Sequence, residues 1–179
     1  MRPGDLAPDF TLSDQHGVQR TLSDLLAQGP VVLFFYPAAM TTGCTKETCY
    51  FRDLATAFAE VGAQRIGISM DDVTKQAAFS DANALDYPLL SDVGGHVAKS
   101  YGVKRALDVL RVKRTTFVIG TDRRVIDVIT SEMNMNVHAD RAFAALRSSR
   151  RQPPMIAAAG SVMKRPMCAI AADARAPSI

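Results

Sequence analysis

Two cysteines five residues apart, Cys44 and Cys49, follow the short loop Pro37-Ala-Ala-Met-Thr41-Thr-Gly. A cysteine reacts as its thiolate. The free N–H groups and the positive end of the dipole at a helix N-terminus both favour that anion. The residues before the loop, Val31-Val-Leu-Phe-Phe-Tyr36, form an unbroken apolar run closed by proline and predict a buried strand. The residues after it suit a helix beginning near Cys44. A thiol at the end of a buried strand and in the first turn of a helix is placed to react.

The spacing of the pair adds to this. On one α-helix, residues five apart are separated by a rise of about 7.5 Å and a rotation of about 500°, which puts their Cα atoms about 8.6 Å apart. A disulfide tolerates about 7 Å at most. The two sulfurs can therefore join only if the start of the helix unwinds, which suits a pair that cycles between dithiol and disulfide better than a permanent cross-link. The plain alternative is two buried thiols packed as small hydrophobes.

The elements that must position these residues follow from periodicity. Phe10–Leu12 and Val18–Thr21 flank Asp-Gln-His-Gly and predict a hairpin, and Ser23 is expected to cap a short helical turn. Leu54, Ala55, Phe58 and Val61 extend helical spacing from Cys44 to about Val61. Then come a strand at Gln64–Met70, a helix from Val73 to about Asn83, an extended segment at Tyr87–Leu90 and a short helix from Val93 to about Tyr101, closed by Gly102. Strands at Thr115–Ile119 and Val125–Thr130 flank Gly-Thr-Asp-Arg-Arg, and an amphipathic helix runs from about Val137 to Arg147. Strands alternating with helices predict an α/β fold.

Composition excludes more than it selects. The 179 residues are 47% hydrophobic and 22% charged, as in an ordinary globular protein, and one domain over residues 1–149 is expected. The net charge of +3 belongs to the end of the chain. Four of the 21 basic residues and one of the 18 acidic ones fall in 151–179, leaving 17 of each before it. A neutral domain gives no electrostatic case for nucleic acid. No apolar run reaches the roughly 18 residues of a membrane span, and the start Met-Arg-Pro-Gly-Asp is not a secretory signal. A cytoplasmic location is expected, where paired cysteines are more often catalytic than structural. Residues 150–179, rich in Ala, Met and Pro, read as a disordered tail, with docking on the domain or a partner as the alternative. Cys168 within it reads as an incidental thiol or an alternative partner for Cys44. His16, His96 and His138 stand singly and are expected to face solvent.

The loop resembles the active site of the peroxiredoxins, whose motif is Pro, three residues, Thr, two residues, Cys: here Pro37, Thr41 and Cys44. A second cysteine five residues on resembles the peroxiredoxin Q or bacterioferritin comigratory protein subgroup. Pro8-Asp-Phe-Thr-Leu12, Tyr87-Pro-Leu-Leu-Ser-Asp92, Ala98-Lys-Ser-Tyr-Gly-Val103 and Arg114-Thr-Thr-Phe-Val-Ile119 fit the same family in the same order. The resemblance implies a thioredoxin-like fold, a central mixed sheet flanked by helices with an N-terminal hairpin.

It also implies roles. Cys44 matches the peroxidatic cysteine, which attacks the peroxide and becomes a sulfenic acid. Thr41 matches the threonine that bonds to the peroxide, and Pro37 the proline that shields the pocket. Arg114 matches the arginine that favours the thiolate and steadies charge on the peroxide, and Glu47 the glutamate that orients it. Cys49 matches the resolving cysteine, which closes an intramolecular disulfide that a thioredoxin-like dithiol reductant reopens. The implied substrates are hydrogen peroxide and alkyl hydroperoxides, with no cofactor and no metal, in a monomer or weak homodimer.

The chemistry agrees with the residues. Displacement at a peroxide oxygen needs a deprotonated sulfur and fixed donors for the leaving oxygen, which an arginine fork and a threonine hydroxyl can supply. A peroxide sensor would use the same residues. A thiol–disulfide oxidoreductase is disfavoured by the lack of Cys-x-x-Cys, and a zinc module by the lack of a compact second pair of ligands. Ala38, Ala39 and Thr42 depart from the family pattern and predict a less rigid loop. The turn Thr121-Asp-Arg-Arg lacks the family's usual glycine.

Overall fold

In the computed structural model, residues 1–106 and 111–151 are described. The elements in chain order are β1 (Thr11–Ser13), β2 (Gln19–Thr21), α1 (Leu22–Leu26), β3 (Val31–Phe35), α2 (Thr42–Asp53), α3 (Ala55–Glu60), β4 (Gln64–Ser69), α4 (Val73–Ala82), β5 (Leu89–Ser91), α5 (His96–Ser100), β6 (Thr115–Ile119), β7 (Val125–Thr130) and α6 (Asn136–Arg151).

β1 and β2 pair as the expected hairpin, with Leu12 opposite Arg20. The other five strands form one mixed sheet in the order β5-β4-β3-β6-β7. β5, β4 and β3 are parallel, while β6 and β7 run antiparallel. β3 lies at the centre and every one of its residues is buried, which is why its sequence is apolar without alternation.

Side chains on β3 still alternate between two cores. Val31, Leu33 and Phe35 join Leu22, Leu25, Ile66, Ile68, Val97, Tyr101 and Phe117 on the face covered by α1 and α5. Val32 and Phe34 join Phe51, Phe58, Phe79, Val118, Ala142 and Leu146 on the face covered by α2, α3, α4 and α6. Phe34 stacks on Phe51 of α2 with ring centroids 4.3 Å apart. Gly67 on β4 makes room for that stack, because a Cβ there would stand 2.9 Å from the Phe34 ring and 2.7 Å from Leu89. Truncating a fully buried phenylalanine costs about 3–5 kcal/mol. We expect Phe51→Ala to lower stability by that amount in denaturant unfolding; a loss near zero would show that α2 is not held to the sheet by this stack.

Several boundaries differ from the sequence expectation: α5 begins at His96 and not Val93, and β5 covers Leu89–Ser91 and not Tyr87–Leu90. Ser23 does not cap α1; the helix starts at Leu22 with Thr21 in the capping position, and the Ser23 N–H is held instead by the Asp9 carboxylate. The helix predicted from Cys44 to Val61 is two helices, broken at Leu54, which leaves helical geometry at φ −93°, ψ 17°. The last helix extends to Arg151, four residues past the expected end. The remainder of the expected tail, with Cys168, lies outside the described residues. The turn without glycine places Arg123 in the left-handed region at φ 63°, the conformation for which glycine is the usual choice.

Candidate active site

The topology explains why residues 70 positions apart meet. β6 runs antiparallel to β3, and Thr115 pairs with Phe35. The chain leaving β3 toward Cys44 therefore passes beside the chain entering β6 from Arg114. Cys44 lies in the first turn of α2, after Thr41 in the extended capping position. Its thiol is free and buried, 1% exposed.

Arg114 Nη2 donates to Cys44 Sγ at 3.3 Å. Arg114 Nη1 donates to Glu47 Oε2, and its Nε has no partner among the described residues. Glu47 follows Cys44 by three positions and so shares its helix face. Glu47 is fully buried; burial pushes its carboxyl up to about 7 against the pull of Arg114. Burial works to discharge Arg114, but Glu47 and then Cys44 more than offset it, so the guanidinium is held in its charged form.

Cys44 lines a cavity of about 560 Å³ together with Pro37, Ala38, Thr41, Gly43, Asp71, Lys75, Arg111, Arg114, Glu132 and Met135. Thr41 Oγ1 donates to the Ala38 carbonyl at 3.1 Å, which leaves its oxygen lone pairs available to a ligand. The structure thus brings Cys44, Thr41, Pro37 and Arg114 to one cavity, with Glu47 behind the arginine. It does not bring Cys49 there. That thiol is half-buried farther along α2, 3.7 Å from Asn83 Oδ1.

Sequence reasoning missed three contributors. Asp71 accepts the Ala39 N–H at 2.7 Å and so ties down the loop, and it is in turn held by Lys75 at 2.7 Å and Ser69 at 2.9 Å. Burial opposes ionisation of Asp71, but these donors keep its carboxyl below the usual range. The available signal was its place two residues past β4, beside the end of β3. This anchor sits under Met40, which holds φ 67° in a loop expected to be less rigid. Arg111 is exposed and lines the cavity. His138 does not face solvent as expected. It is fully buried on α6, between Thr116 and the Ser131 carbonyl. Its spacing to Ala142 and Leu146, four and eight residues on, places it on the apolar stripe of that helix. Among the described residues, no group of three or more His, Cys, Asp or Glu is placed to hold a metal.

A buried sulfur beside a fixed cation, with a hydroxyl acceptor and spare N–H donors around an enclosed space, can perform nucleophilic displacement on a small polar substrate. Known proteins resemble this chain over most of its length. Residues 3–128 match the AhpC/TSA family. A peroxiredoxin of Mycobacterium tuberculosis is 62% identical over 152 residues, covering 84% of this chain and 99% of that protein. The chain is a peroxiredoxin.

Other relatives place it in the peroxiredoxin Q and bacterioferritin comigratory protein subgroup. Chloroplastic peroxiredoxin Q of Suaeda salsa is 40% identical over 145 residues, 81% of this peroxiredoxin and 67% of the plant chain. The crystal structure of peroxidoxin BcpB from Mycobacterium tuberculosis superposes with a TM-score of 0.79 at 62% identity, covering 83% of this chain and 97% of that one. The bacterioferritin comigratory protein of Xanthomonas campestris, studied for alkyl peroxide reduction, gives a TM-score of 0.72 at 30% identity over 78% and 91% of the two chains. The sheet and flanking helices are therefore those of the thioredoxin-fold peroxiredoxins, and the chemistry of the family is peroxide reduction by a thiol. Among the described residues, no helix is long and apolar enough to cross a membrane.

Proposed function

We propose that this peroxiredoxin reduces hydrogen peroxide and small alkyl hydroperoxides through Cys44, resolves the product with Cys49 and is recycled by a thioredoxin-like dithiol protein. The observation that carries this is the buried Cys44 sulfur lining the cavity, 3.3 Å from a guanidinium with donors to spare. The thiolate attacks one peroxide oxygen, the O–O bond breaks, and the leaving oxygen takes a proton as water or alcohol. Cys44 is left as a sulfenic acid. Thr41 accepts a hydrogen bond from the bound hydroperoxide, Pro37 shields the sulfur from water, and Arg114, oriented by Glu47, stabilises the oxygen that gains charge. Cys49 then attacks the sulfenic sulfur and releases water, and the reductant exchanges its dithiol for the disulfide. No cofactor and no metal enters this cycle.

The resolving step requires movement. Both cysteines lie on α2, which is wound through Thr42–Asp53 with both thiols free. Its first turns must open before the sulfurs meet. The acting cysteines belong to one chain, so a monomer or a weak homodimer suffices. A cytoplasmic location suits a disulfide that must be reduced at each turnover.

The test is peroxide consumption with a thioredoxin and thioredoxin reductase recycling system. The proposal expects steady turnover of wild type. In Cys49→Ser, a single oxidation equivalent is expected, followed by accumulation of sulfenic or hyperoxidised Cys44 visible by mass. If that variant cycles as fast as wild type, Cys49 is not the resolving residue. A wild type oxidised once but never recycled would favour a peroxide sensor.

A further inference from the structure

Glu47 forms a buried pair with His138, a residue that the cycle above does not use. One oxygen of Glu47 is bound by Arg114; the other, Oε1, has no hydrogen-bond partner among the described residues although it is fully buried. His138 Nδ1 stands 3.9 Å from it, and both side chains are sealed from solvent. The Ser131 carbonyl, 2.9 Å from Nε2, can only accept, so Nε2 carries a hydrogen. In the neutral ring, Nδ1 is then bare and accepts the Thr116 hydroxyl at 2.9 Å.

A bare ring nitrogen therefore faces a bare carboxylate oxygen in dry surroundings, an arrangement that leaves a buried acceptor unsatisfied. One proton repairs it. On Nδ1 it makes an imidazolium that forms an ion pair with Glu47 across 3.9 Å, with the Thr116 hydroxyl turned to accept. On Oε1 it makes a neutral carboxylic acid.

We propose that His138 is a positioning residue for the cysteine site: together with Glu47 it holds one exchangeable proton, and that proton sets how much of the Arg114 charge is left for Cys44. Without the proton, the Glu47 carboxylate and the Cys44 thiolate compete for one guanidinium. With it, the carboxylate claim is neutralised and the thiolate keeps the whole cation. The pair takes up its proton as the solution becomes acidic, and the Arg114 charge is then freed for the thiolate.

The titration directions agree with this geometry. Burial drives the Glu47 carboxyl up to about 7 and drives the His138 ring below its usual range, so burial disfavours the charged form of each group. The other charged groups facing His138 come from three elements. Arg114, ahead of β6, and Arg141, on α6, oppose an imidazolium, whereas Glu132, after β7, favours one. Arg141 is itself paired with Asp127 on β7 at 3.0 Å.

The test is the pH dependence of Cys44 alkylation by iodoacetamide in the reduced full-length protein, with the Cys44 peptide read by mass spectrometry. It rests on the cysteine site described above but needs no peroxidase activity. A protein that alkylates as expected yet ignores peroxide would overturn the peroxidase reading and leave this one standing. Glutamine at position 138 can still accept from Thr116 and donate to Ser131 but cannot take up the proton. His138→Gln is expected to slow alkylation about three- to tenfold near about pH 6, a shift of roughly half to one pH unit in the profile, with the rate near about pH 8.5 unchanged. In Glu47→Gln the pair is already neutral, so adding His138→Gln is expected to change nothing further. A His138→Gln profile superimposable on wild type, or an equal shift in the Glu47→Gln background, overturns the proposal.

A second measurement covers the case in which the variant does not fold. The chain has three histidines, and His16 and His96 are exposed and can be replaced singly to assign the third by NMR. The His138 ring signals of wild type are expected to move with pH across the neutral range and to move again when Cys44 is alkylated. His138 ring signals that do not move under either treatment overturn the proposal.

Discussion

Replacing Cys44 by serine is expected to reduce peroxide consumption to the buffer background while leaving the fold intact. The substitution exchanges one buried sulfur for a smaller oxygen, in a residue that is 1% exposed and whose backbone carbonyl still accepts the Thr48 hydroxyl. The chemical loss is complete because a serine hydroxyl is far too weak an acid to be ionised at neutral pH, and its oxygen offers no route through a sulfenic acid to a disulfide. The measurement is reductant oxidation over time in the recycling assay, beside thermal unfolding of both proteins. Turnover that survived in a folded Cys44→Ser protein would place the reactive group elsewhere, with Cys49 the next thiol to examine.

Arg114→Lys is expected to slow the oxidation of Cys44 by peroxide by about 100-fold or more, the loss typical of one removed oxyanion donor. Lysine keeps the positive charge, so this variant separates charge from geometry. The guanidinium reaches Glu47 with one nitrogen and Cys44 with another, in a fixed plane that an ammonium cannot reproduce. The rate is measured as the second-order loss of free Cys44 thiol under limiting peroxide, and iodoacetamide reactivity at the same pH reports the thiolate separately. A slow peroxide rate with near-normal alkylation is the expected pattern, because the deficit lies in holding the reacting oxygen. Equal losses in both would assign Arg114 to ionising the sulfur alone. Alanine is the poorer choice, because it strands the fully buried Glu47 without its cation.

How far the chain could be read depended on whether a residue acts through its neighbours in sequence or across the sheet. Cys44, Thr41 and Pro37 belong to one loop after one strand, and the apolar run Val31–Tyr36 located that strand within a residue. Arg114 is remote, yet it was legible because Arg114-Thr-Thr-Phe-Val-Ile119 resembles the corresponding peroxiredoxin segment. Asp71, by contrast, acts through a pairing between β3 and β4, and no local pattern marks the end of one parallel strand as the support of its neighbour's loop. His138 was misplaced for a different reason. A polar residue on an otherwise apolar helical stripe is read as exposed unless its partners are known, and Thr116 and Ser131 lie on or beside other strands. The break at Leu54 carries no proline or glycine, so spacing alone extended the helix through it.

The way α2 is fastened also decides how much oxidant the protein can withstand. The Thr48 carbonyl accepts the Tyr87 hydroxyl at 2.8 Å, the Phe51 carbonyl accepts Arg65 at 2.8 Å, and Cys49 rests near Asn83. In the cycle proposed above, these are the ties that slip before a sulfenic acid at Cys44 reaches Cys49. Their strength sets a dwell time, and during that time a second oxidant molecule can arrive and drive the sulfur to the sulfinic state, which a thiol cannot reverse. The ties of one helix thus act as the fuse of the molecule: tight, it burns out at low dose; loose, it lets the protein scavenge through a flood.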